Sequence, residues 1–333
     1  MNNFAIARPD SYEAASAMTR DRTYKLAVLK AGGVDLLDHL KGGLIDPDVL
    51  IDVRRVREAG AKDPVGISGG VIRVEAGATL AEIARSDELL RAAPVLGQAA
   101  GDAASPQVRN AATVAGNLLQ RPRCWYYRNA QFPCLKKGGS TCFAVEGENR
   151  YHAIFGPGPC HIVHPSNMAP ALLVGDAVVH LTGSGRKELP LSELYHMPDK
   201  GVMSENNLEA GEVVTHITCR PMPNSAFYAI KEKQSFDWPV AAAAVAVELN
   251  GATITSARVV AAAVAPVPWW LPNVEAALKG VDVANDEALR KACAIAAEGA
   301  KPMTDNGYKV KMLPVAVRRA VLRSAGRPTE VES

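Results

Sequence analysis

The 333-residue sequence predicts an α+β fold, and two observations lead to this class. The last third of the chain has strand-like segments at 226–231, 240–249 and 257–265, followed by helix-like segments at about 273–279, 285–299 and 313–323. A run of strands followed by a run of helices is typical of an α+β domain. The first hundred residues alternate short strands with helices, so the whole chain is expected to mix both kinds of element.

The first elements surround a pair of glycines. Asp10 and Glu13 have the spacing of a capping box, which predicts a helix to about Thr19. Lys25–Lys30 is a short apolar strand that runs into Gly32 and Gly33, where a second helix should begin. A strand, a glycine turn and a helix N-terminus form a cradle for anions, because the backbone N–H groups point outward. Ordinary turn chemistry is the alternative, and the sequence lacks the GxGxxG fingerprint of a nicotinamide site.

The next elements are predicted from alternation and capping. A turn and a strand are expected within 44–53, and 71–75 alternates as a strand does. Thr79 and Glu82 form a second capping box, with a helix to about Arg85, and 87–97 is also predicted to be helical. The small residues at 113–117 make either a packing turn or a second close approach of backbone to a cofactor, since Gly116 has no side chain.

The middle of the chain carries four of the six cysteines, Cys124, Cys134, Cys142 and Cys160. The many prolines and glycines around them exclude long helices and strands. Disulfides need an oxidising compartment, and the first ten residues lack an export signal. Zinc sites use shorter spacings, whereas a [4Fe–4S] cluster tolerates wide ones. A cluster, a zinc site and unligated thiols all remain open from the spacing alone.

Beyond Cys160 the pattern returns to ordinary α/β alternation. Residues 164–167 can cap a helix that runs to about Leu173, strands are predicted at 177–181 and 213–218, and a helical turn begins at Ser192. A domain boundary is expected at 221–224. The two remaining cysteines, Cys219 and Cys293, lie in apolar surroundings and should be buried.

Composition excludes several classes of function. The formal net charge of +2 implies no nucleic-acid or membrane partner. No apolar run reaches the roughly 18 residues of a membrane span. The histidines, including His152, His161 and His164, form no acid–base constellation and are expected to be surface or loop residues. We therefore predict no catalytic residues in this chain.

Several motifs, taken together, resemble one family. The chain is similar over essentially its whole length to the FAD-binding subunits of molybdenum hydroxylases, the group of xanthine dehydrogenase and carbon monoxide dehydrogenase. The segments that carry the resemblance are 31–36, 109–110, 113–117, 166–172, 228–231, 263–269, 308–310 and 318–320. The cysteine insertion looks like that of bacterial periplasmic aldehyde oxidoreductases and, more distantly, 4-hydroxybenzoyl-CoA reductases, in which it carries a [4Fe–4S] cluster.

The resemblance implies a domain plan and a set of binding residues. A two-subdomain FAD-binding domain of the PCMH/VAO-like type would comprise 1–60 and 61–223, with an iron–sulfur insertion at about 120–162. A C-terminal domain with a three-stranded sheet plus helices would follow at 224–333. The residues expected to bind FAD are Leu29, Lys30, Ala31, Gly32, Gly33, Val34, Asp35, Leu36, Thr113, Ala115, Gly116, Asn117, Asn167 and Lys231. Those expected to bind the cluster are Cys124, Cys134, Cys142 and Cys160.

Individual roles also follow from the resemblance. Thr113 and Asn117 would add side-chain hydrogen bonds to the phosphates or the ribitol. Lys231 would lie beside the flavin and stabilise its reduced anion, the alternative being a solvated surface lysine. At Asn167 the family often has Asp, so this contact would lose a charge.

The implied function is electron transfer through FAD in a heterotrimer. A large molybdopterin-binding subunit would oxidise the substrate, expected to be an aldehyde, and a small subunit with [2Fe–2S] clusters would relay electrons to the FAD bound here. Without its own export signal, the chain would be cytoplasmic or exported in the folded state with a signal-bearing partner. The alternatives are a stand-alone flavin oxidoreductase and a non-catalytic, zinc-stapled binding module.

Overall fold

A computed structural model of the chain describes residues 3–58, 60–61, 63–233 and 236–329. The secondary structure in these ranges forms three sheets with helices packed on their faces. None of the helices in these ranges combines the length and hydropathy that crossing a bilayer requires.

The N-terminal sheet is parallel and has the order β1-β3-β2. Its elements are β1 (Ala5–Ala7), α1 (Tyr12–Thr19), β2 (Ala27–Lys30), α2 (Val34–Lys41) and β3 (Val49–Asp52). The predicted capping of α1 by Asp10 is wrong, because the hydroxyl of Ser11 accepts the hydrogen bond from the Ala14 N–H at 3.1 Å. β2 also begins two residues later than predicted, at Ala27.

A five-stranded antiparallel sheet of order β4-β5-β8-β6-β7 forms the centre of the molecule. Its strands are β4 (Val65–Ser68), β5 (Val71–Glu75), β6 (Val178–Thr182), β7 (Glu188–Pro190) and β8 (Val213–Cys219). The helices of this part are α3 (Leu80–Arg85), α4 (Asp87–Ala92), α5 (Pro94–Asp102), α6 (Pro106–Arg109), α7 (Val114–Leu118), α8 (Trp125–Arg128), α9 (Met168–Leu173) and α10 (Leu191–Leu194), with a 3₁₀ turn at Leu135–Lys137.

Local chemistry explains where these helices begin. The capping box of α3 is confirmed: the Thr79 N–H donates to Glu82 Oε2 at 2.7 Å, and the Glu82 N–H donates to Thr79 Oγ1 at 3.1 Å. The single helix predicted over 87–97 is instead two, because Pro94 occupies the first turn of α5, where its missing N–H costs nothing.

The C-terminal sheet has four antiparallel strands in the order β12-β11-β10-β9, not the three predicted. The strands are β9 (Ser225–Lys231), β10 (Pro239–Asn250), β11 (Thr253–Ala262) and β12 (Trp269–Trp270). The helices are α11 (Pro272–Leu278), α12 (Asp286–Ala294) and α13 (Tyr308–Ser324), with a 3₁₀ turn at Ile295–Ala297. β12 has only two residues, too few for a hydrophobic period to reveal it.

The alanine-rich strand β10 separates two hydrophobic cores. Ala242 and Ala244 pack into the core that the N-terminal and central sheets share, whereas Ala243 and Val245 pack into the C-terminal core. Successive side chains of a strand point to opposite faces, so a strand buried on both faces is apolar throughout. The small alanine side chains allow both layers to approach this sheet closely. Cys219 and Cys293 are buried, as predicted.

Candidate functional site

A cavity of about 850 Å³ lies where the N-terminal sheet, the central helices and the loop before β10 meet. Its walls come mainly from residues 28–45, 103–121 and 236–239. Among the residues predicted to bind FAD, all except Lys231 line this cavity. The volume is within the range of about 300–1,000 Å³ that is usual for cofactor pockets.

The turn between β2 and α2 presents unused backbone donors to this cavity. Gly33 precedes α2 with φ of +76°, a conformation that glycine adopts without strain, and no side chain caps the helix. The first amide that bonds within the helix is that of Leu37, which donates to the Gly33 carbonyl at 2.8 Å. In the part of the chain described, the amides of 34–36 have no acceptor. Such a helix N-terminus is suited to a phosphate or another anion.

Glycine is required at position 32 because two turns touch there. A Cβ on Gly32 would lie 1.8 Å from the carbonyl oxygen of Ala111. The amide of Leu80 donates to the Ala112 carbonyl at 2.9 Å, which fixes the neighbouring backbone of the second turn. The first predicted binding turn therefore touches the backbone that leads into the second.

The second turn is a short helix, α7, and its amides are already bonded. The Val114 N–H donates to the Ala78 carbonyl at 2.8 Å, the Ala115 N–H to Ala76 at 3.2 Å, and the Gly116 N–H to the Thr113 hydroxyl at 3.2 Å. Thr113 is buried and acts as the cap of α7. This turn therefore shapes the cavity wall and supplies no free amide from these three residues.

Asn117 fixes the next part of the wall, and Asn167 lines it. Asn117 Oδ1 accepts hydrogen bonds from the Ser166 hydroxyl at 2.6 Å and from the Met168 amide at 3.3 Å, so α7 is tied to the start of α9. Ser166 caps this helix, since its hydroxyl accepts from the Ala169 amide at 2.9 Å. Asn167 is buried, lines the cavity and makes no capping bond.

Asp35 contributes its backbone to the cradle but its carboxylate to the cysteine insertion. The carboxylate lies 2.6 Å from Arg123, 2.7 Å from Arg128 and 2.8 Å from the Arg121 amide. Burial alone would raise the pKa of Asp35, but the charge of Arg123 and the bonds from Arg121 and Arg128 lower it overall. The side chain is therefore ionised and holds 121–128 against the first turn of α2.

Lys231 lies outside the cavity wall and is also not a solvated surface lysine. Its ammonium donates to Asp102 Oδ1 at 2.8 Å and to the Asp102 carbonyl at 2.9 Å, and its side chain is only 7% exposed. Its role beside a flavin stays a prediction.

The four cysteines of the insertion converge on one small cavity of about 10 Å³. All four are free thiols, Cys134 and Cys160 buried and Cys124 and Cys142 partly so. A hydrogen bond between the Cys142 and Cys160 thiols lowers the pKa of Cys142 and raises the pKa of Cys160. Within the described ranges, no three or more Cys, His, Asp or Glu side chains are arranged to hold a single metal ion.

Aromatic contacts and a buried ion pair, which the sequence did not predict, also hold the insertion in place. The ring of Tyr126 packs edge-on against Phe132 at 5.1 Å, and Phe132 against Phe143 at 5.3 Å. The buried ammonium of Lys136 donates to Glu205 at 2.6 Å, which ties the insertion to the segment before β8. As predicted, 120–162 has no long element, only α8 and the 3₁₀ turn.

Two of the histidines lie in loops, as expected, but their side chains are buried. His152 and His164 are each 4% exposed. His152 Nε2 lies 3.3 Å from Cys124 Sγ. Burial and, after it, the charge of Lys309 lower the pKa of His152 to about 4, and burial lowers that of His164 to about 3. The one sequence signal for His152 is its position between the third and fourth cysteines of the insertion.

Two family profiles match consecutive parts of the chain. Residues 2–219 match the FAD binding domain in molybdopterin dehydrogenase, and residues 225–324 match the CO dehydrogenase flavoprotein C-terminal domain. The chain therefore belongs to the FAD-binding subunits of molybdenum hydroxylases. It is accordingly an FAD-binding subunit of an oxidoreductase.

Two curated proteins are similar to this chain over most of its length. The chain is 32% identical to the aldehyde oxidoreductase FAD-binding subunit PaoB of Escherichia coli K12, over 84% of this chain and 86% of that protein. It is 27% identical to the carbon monoxide dehydrogenase medium chain of Afipia carboxidovorans, over 89% and 88%.

Solved structures share the fold. A chain of reconstituted CO dehydrogenase from Oligotropha carboxidovorans has a TM-score of 0.75 and 25% identity, covering 98% of this chain and 99% of that one. Quinoline 2-oxidoreductase from Pseudomonas putida 86 has a TM-score of 0.74 at 19% identity, with 98% of both chains covered. The predicted α+β class with an FAD-binding part and a C-terminal domain is confirmed, apart from the fourth strand.

Proposed function

We propose that the chain is the middle subunit of a heterotrimeric molybdenum hydroxylase that oxidises an aldehyde. In this proposal the large subunit binds molybdopterin and oxidises the substrate. A small subunit passes the electrons through [2Fe–2S] clusters to FAD bound here, and an acceptor then takes them. The observation that carries the proposal is the set of unused amides at 34–36, facing a cavity of suitable volume in a member of this family.

The cavity suits FAD on chemical grounds. The pyrophosphate is an anion, and the N-terminus of α2 offers it backbone donors and the positive end of the helix dipole. The one carboxylate at this turn, Asp35, is neutralised by arginines of the insertion, so it does not repel a phosphate. Gly116 leaves the opposite wall free of a side chain. FAD supplies the redox chemistry, and this chain's residues bind it and hold it in place.

We also propose that Cys124, Cys134, Cys142 and Cys160 hold a [4Fe–4S] cluster. The support is that four soft thiols and no carboxylate line one cavity. Structural zinc sites usually use shorter spacings between their cysteines than these. A four-iron cluster instead gives each thiolate its own iron. The free thiols do not favour disulfides.

The proposed domain limits follow the same plan, with FAD-binding subdomains at 1–60 and 61–223, the cluster insertion at about 120–162, and the C-terminal domain at 224–333.

Co-expression with the two partner subunits tests the proposal. The purified complex should contain three chains, stoichiometric FAD, and four iron and four sulfide more than the partner's [2Fe–2S] clusters account for. An aldehyde should bleach the flavin absorbance anaerobically. This chain alone should bind FAD but leave aldehydes unchanged. Aldehyde oxidation by the isolated chain would support a stand-alone oxidoreductase, and one zinc without flavin would support the binding module.

A further inference from the structure

The imidazole of His152 is fixed in one orientation beside the first cysteine of the insertion. Its ring packs edge-on against Trp125 at 5.8 Å and lies 6.2 Å from the ring of Tyr126. The His152 amide donates to the Asn149 carbonyl at 2.9 Å, and the His152 carbonyl accepts from Asn306 Nδ2 at 3.2 Å. With both its backbone and its ring held, Nε2 stays 3.3 Å from Cys124 Sγ.

The direction of the contact follows from the partners available. A neutral imidazole carries one N–H, and a metal-bound thiolate is an acceptor only. His152 Nδ1 has no hydrogen-bond partner among the described residues. The proton is therefore best placed on Nε2, where it points to the sulfur, because an unpaired buried N–H is costlier than an unpaired lone pair.

We propose that His152 donates an Nε2–H hydrogen bond to Cys124 Sγ and thereby raises the reduction potential of the cluster. The inference rests on the proposed function, since it assumes that Cys124 binds the cluster. Reduction adds one electron to the cluster, with no bond broken and no proton taken up. The added negative charge is shared with the ligand sulfurs, so a donor to one of them stabilises the reduced form more than the oxidised form. His152 is thus a tuning residue and not a ligand.

Three variants separate this role from simple packing. His152→Leu removes the donor and keeps apolar bulk, whereas His152→Gln keeps an N–H within reach. His161→Leu is the matched control, because His161 lines the same small cavity but, in the described part of the chain, its imidazole makes no hydrogen bond to a sulfur. The complete chain would be purified anaerobically, its iron and sulfide counted, and the cluster titrated with dithionite while its reduced form is followed by electron paramagnetic resonance.

The inference predicts a lower midpoint potential in His152→Leu with iron and sulfide unchanged. We expect the equilibrium constant for one-electron reduction to fall about tenfold, which corresponds to about 59 mV. His152→Gln should retain most of the wild-type potential, and His161→Leu should shift it less than His152→Leu does.

Two sets of results would overturn the inference while leaving the proposed function intact. One is a wild-type midpoint potential in His152→Leu with full iron content. The other is loss of cluster iron in His152→Leu, which would make the residue a ligand or a packing element. A wild-type protein without any iron–sulfur signal would instead refute the proposed cluster, and the inference with it.

Discussion

Substituting Gly116 with alanine should separate FAD binding from folding. Gly116 lies inside α7 at the cavity wall, and an added Cβ would meet only one neighbour, the Thr113 hydroxyl at 3.0 Å. The backbone there is not in the left-handed region. The methyl group therefore costs the folded chain little beyond a small shift of Thr113, but it occupies space where we propose that FAD approaches the backbone.

The two expected effects have opposite signs. Alanine is favoured over glycine in a helix by about 0.8–1.0 kcal/mol, so the stability of the apoprotein should stay the same or rise slightly. Forcing an extra methyl into a filled contact costs about 1–3 kcal/mol, so FAD should bind about 5- to 150-fold more weakly.

The assay measures FAD affinity by fluorescence quenching and apoprotein stability by urea unfolding. Gly101→Ala is the control, because Gly101 also lies in a helix, its Cβ would meet Ala84 at an ordinary 3.7 Å, and it does not line the cavity. It should leave FAD affinity unchanged. Wild-type affinity in Gly116→Ala would refute the placement of FAD against α7, and an unstable apoprotein would refute the packing argument.

Three further predictions concern the insertion and its anchors. In the assembled complex, Cys134→Ala should lose the iron that the partner's [2Fe–2S] clusters do not account for, and residues 121–160 should become sensitive to protease. Substrate should still reduce the flavin. Loss of flavin reduction in an assembled, FAD-loaded complex would make the cluster an obligatory relay. Asp35→Asn should speed proteolysis at 121–128, because Arg123 and Arg128 lose a partly buried anionic partner. It should leave FAD affinity near wild type, because only the backbone of residue 35 serves the cradle. Burial lowers the pKa of Lys309 to about 7 from its ordinary 10.5. Between these two pH values the unfolded chain binds a proton that the folded chain does not, so the free energy of unfolding should rise with pH. Lys309→Met should lack this rise in urea midpoints measured from pH 7 to 9.5, and an identical slope in both proteins would contradict the assignment.

Much of the fold was predictable because its signals are local. The capping box at Thr79 and Glu82, the alternation of 71–75 and the apolar run of β10 each act within a few residues. β12 was missed because two residues carry no period, and its identity as a strand comes from pairing with Val260 and Ala261. The capping error at α1 arose because Asp10 and Ser11 are both good caps, and only the backbone geometry decides between them.

The geometry of the first predicted turn could be read from the sequence because its signals are local. The glycine pair after β2 correctly indicated free amides at a helix start. The amides of α7 could not be assigned, because their acceptors, Ala76 and Ala78, reach them only through the tertiary fold. The contact of His152 with Cys124 likewise joins residues that a spacing pattern does not relate.

The insertion is synthesised well before the residues that anchor it. Lys309 Nζ and the Tyr308 hydroxyl donate hydrogen bonds to the carbonyls of Tyr151 and Arg150, respectively, and each acceptor lies 158 residues earlier in the chain. At a synthesis rate of about 5–20 residues per second, the ribosome makes Tyr308 and Lys309 roughly 8–30 s after the residues to which they donate. During that interval the cysteine segment has left the ribosome without these hydrogen bonds. If the cysteines hold a cluster, as we propose, nascent chains stalled ahead of residue 300 should accept iron and sulfide faster than the finished protein does.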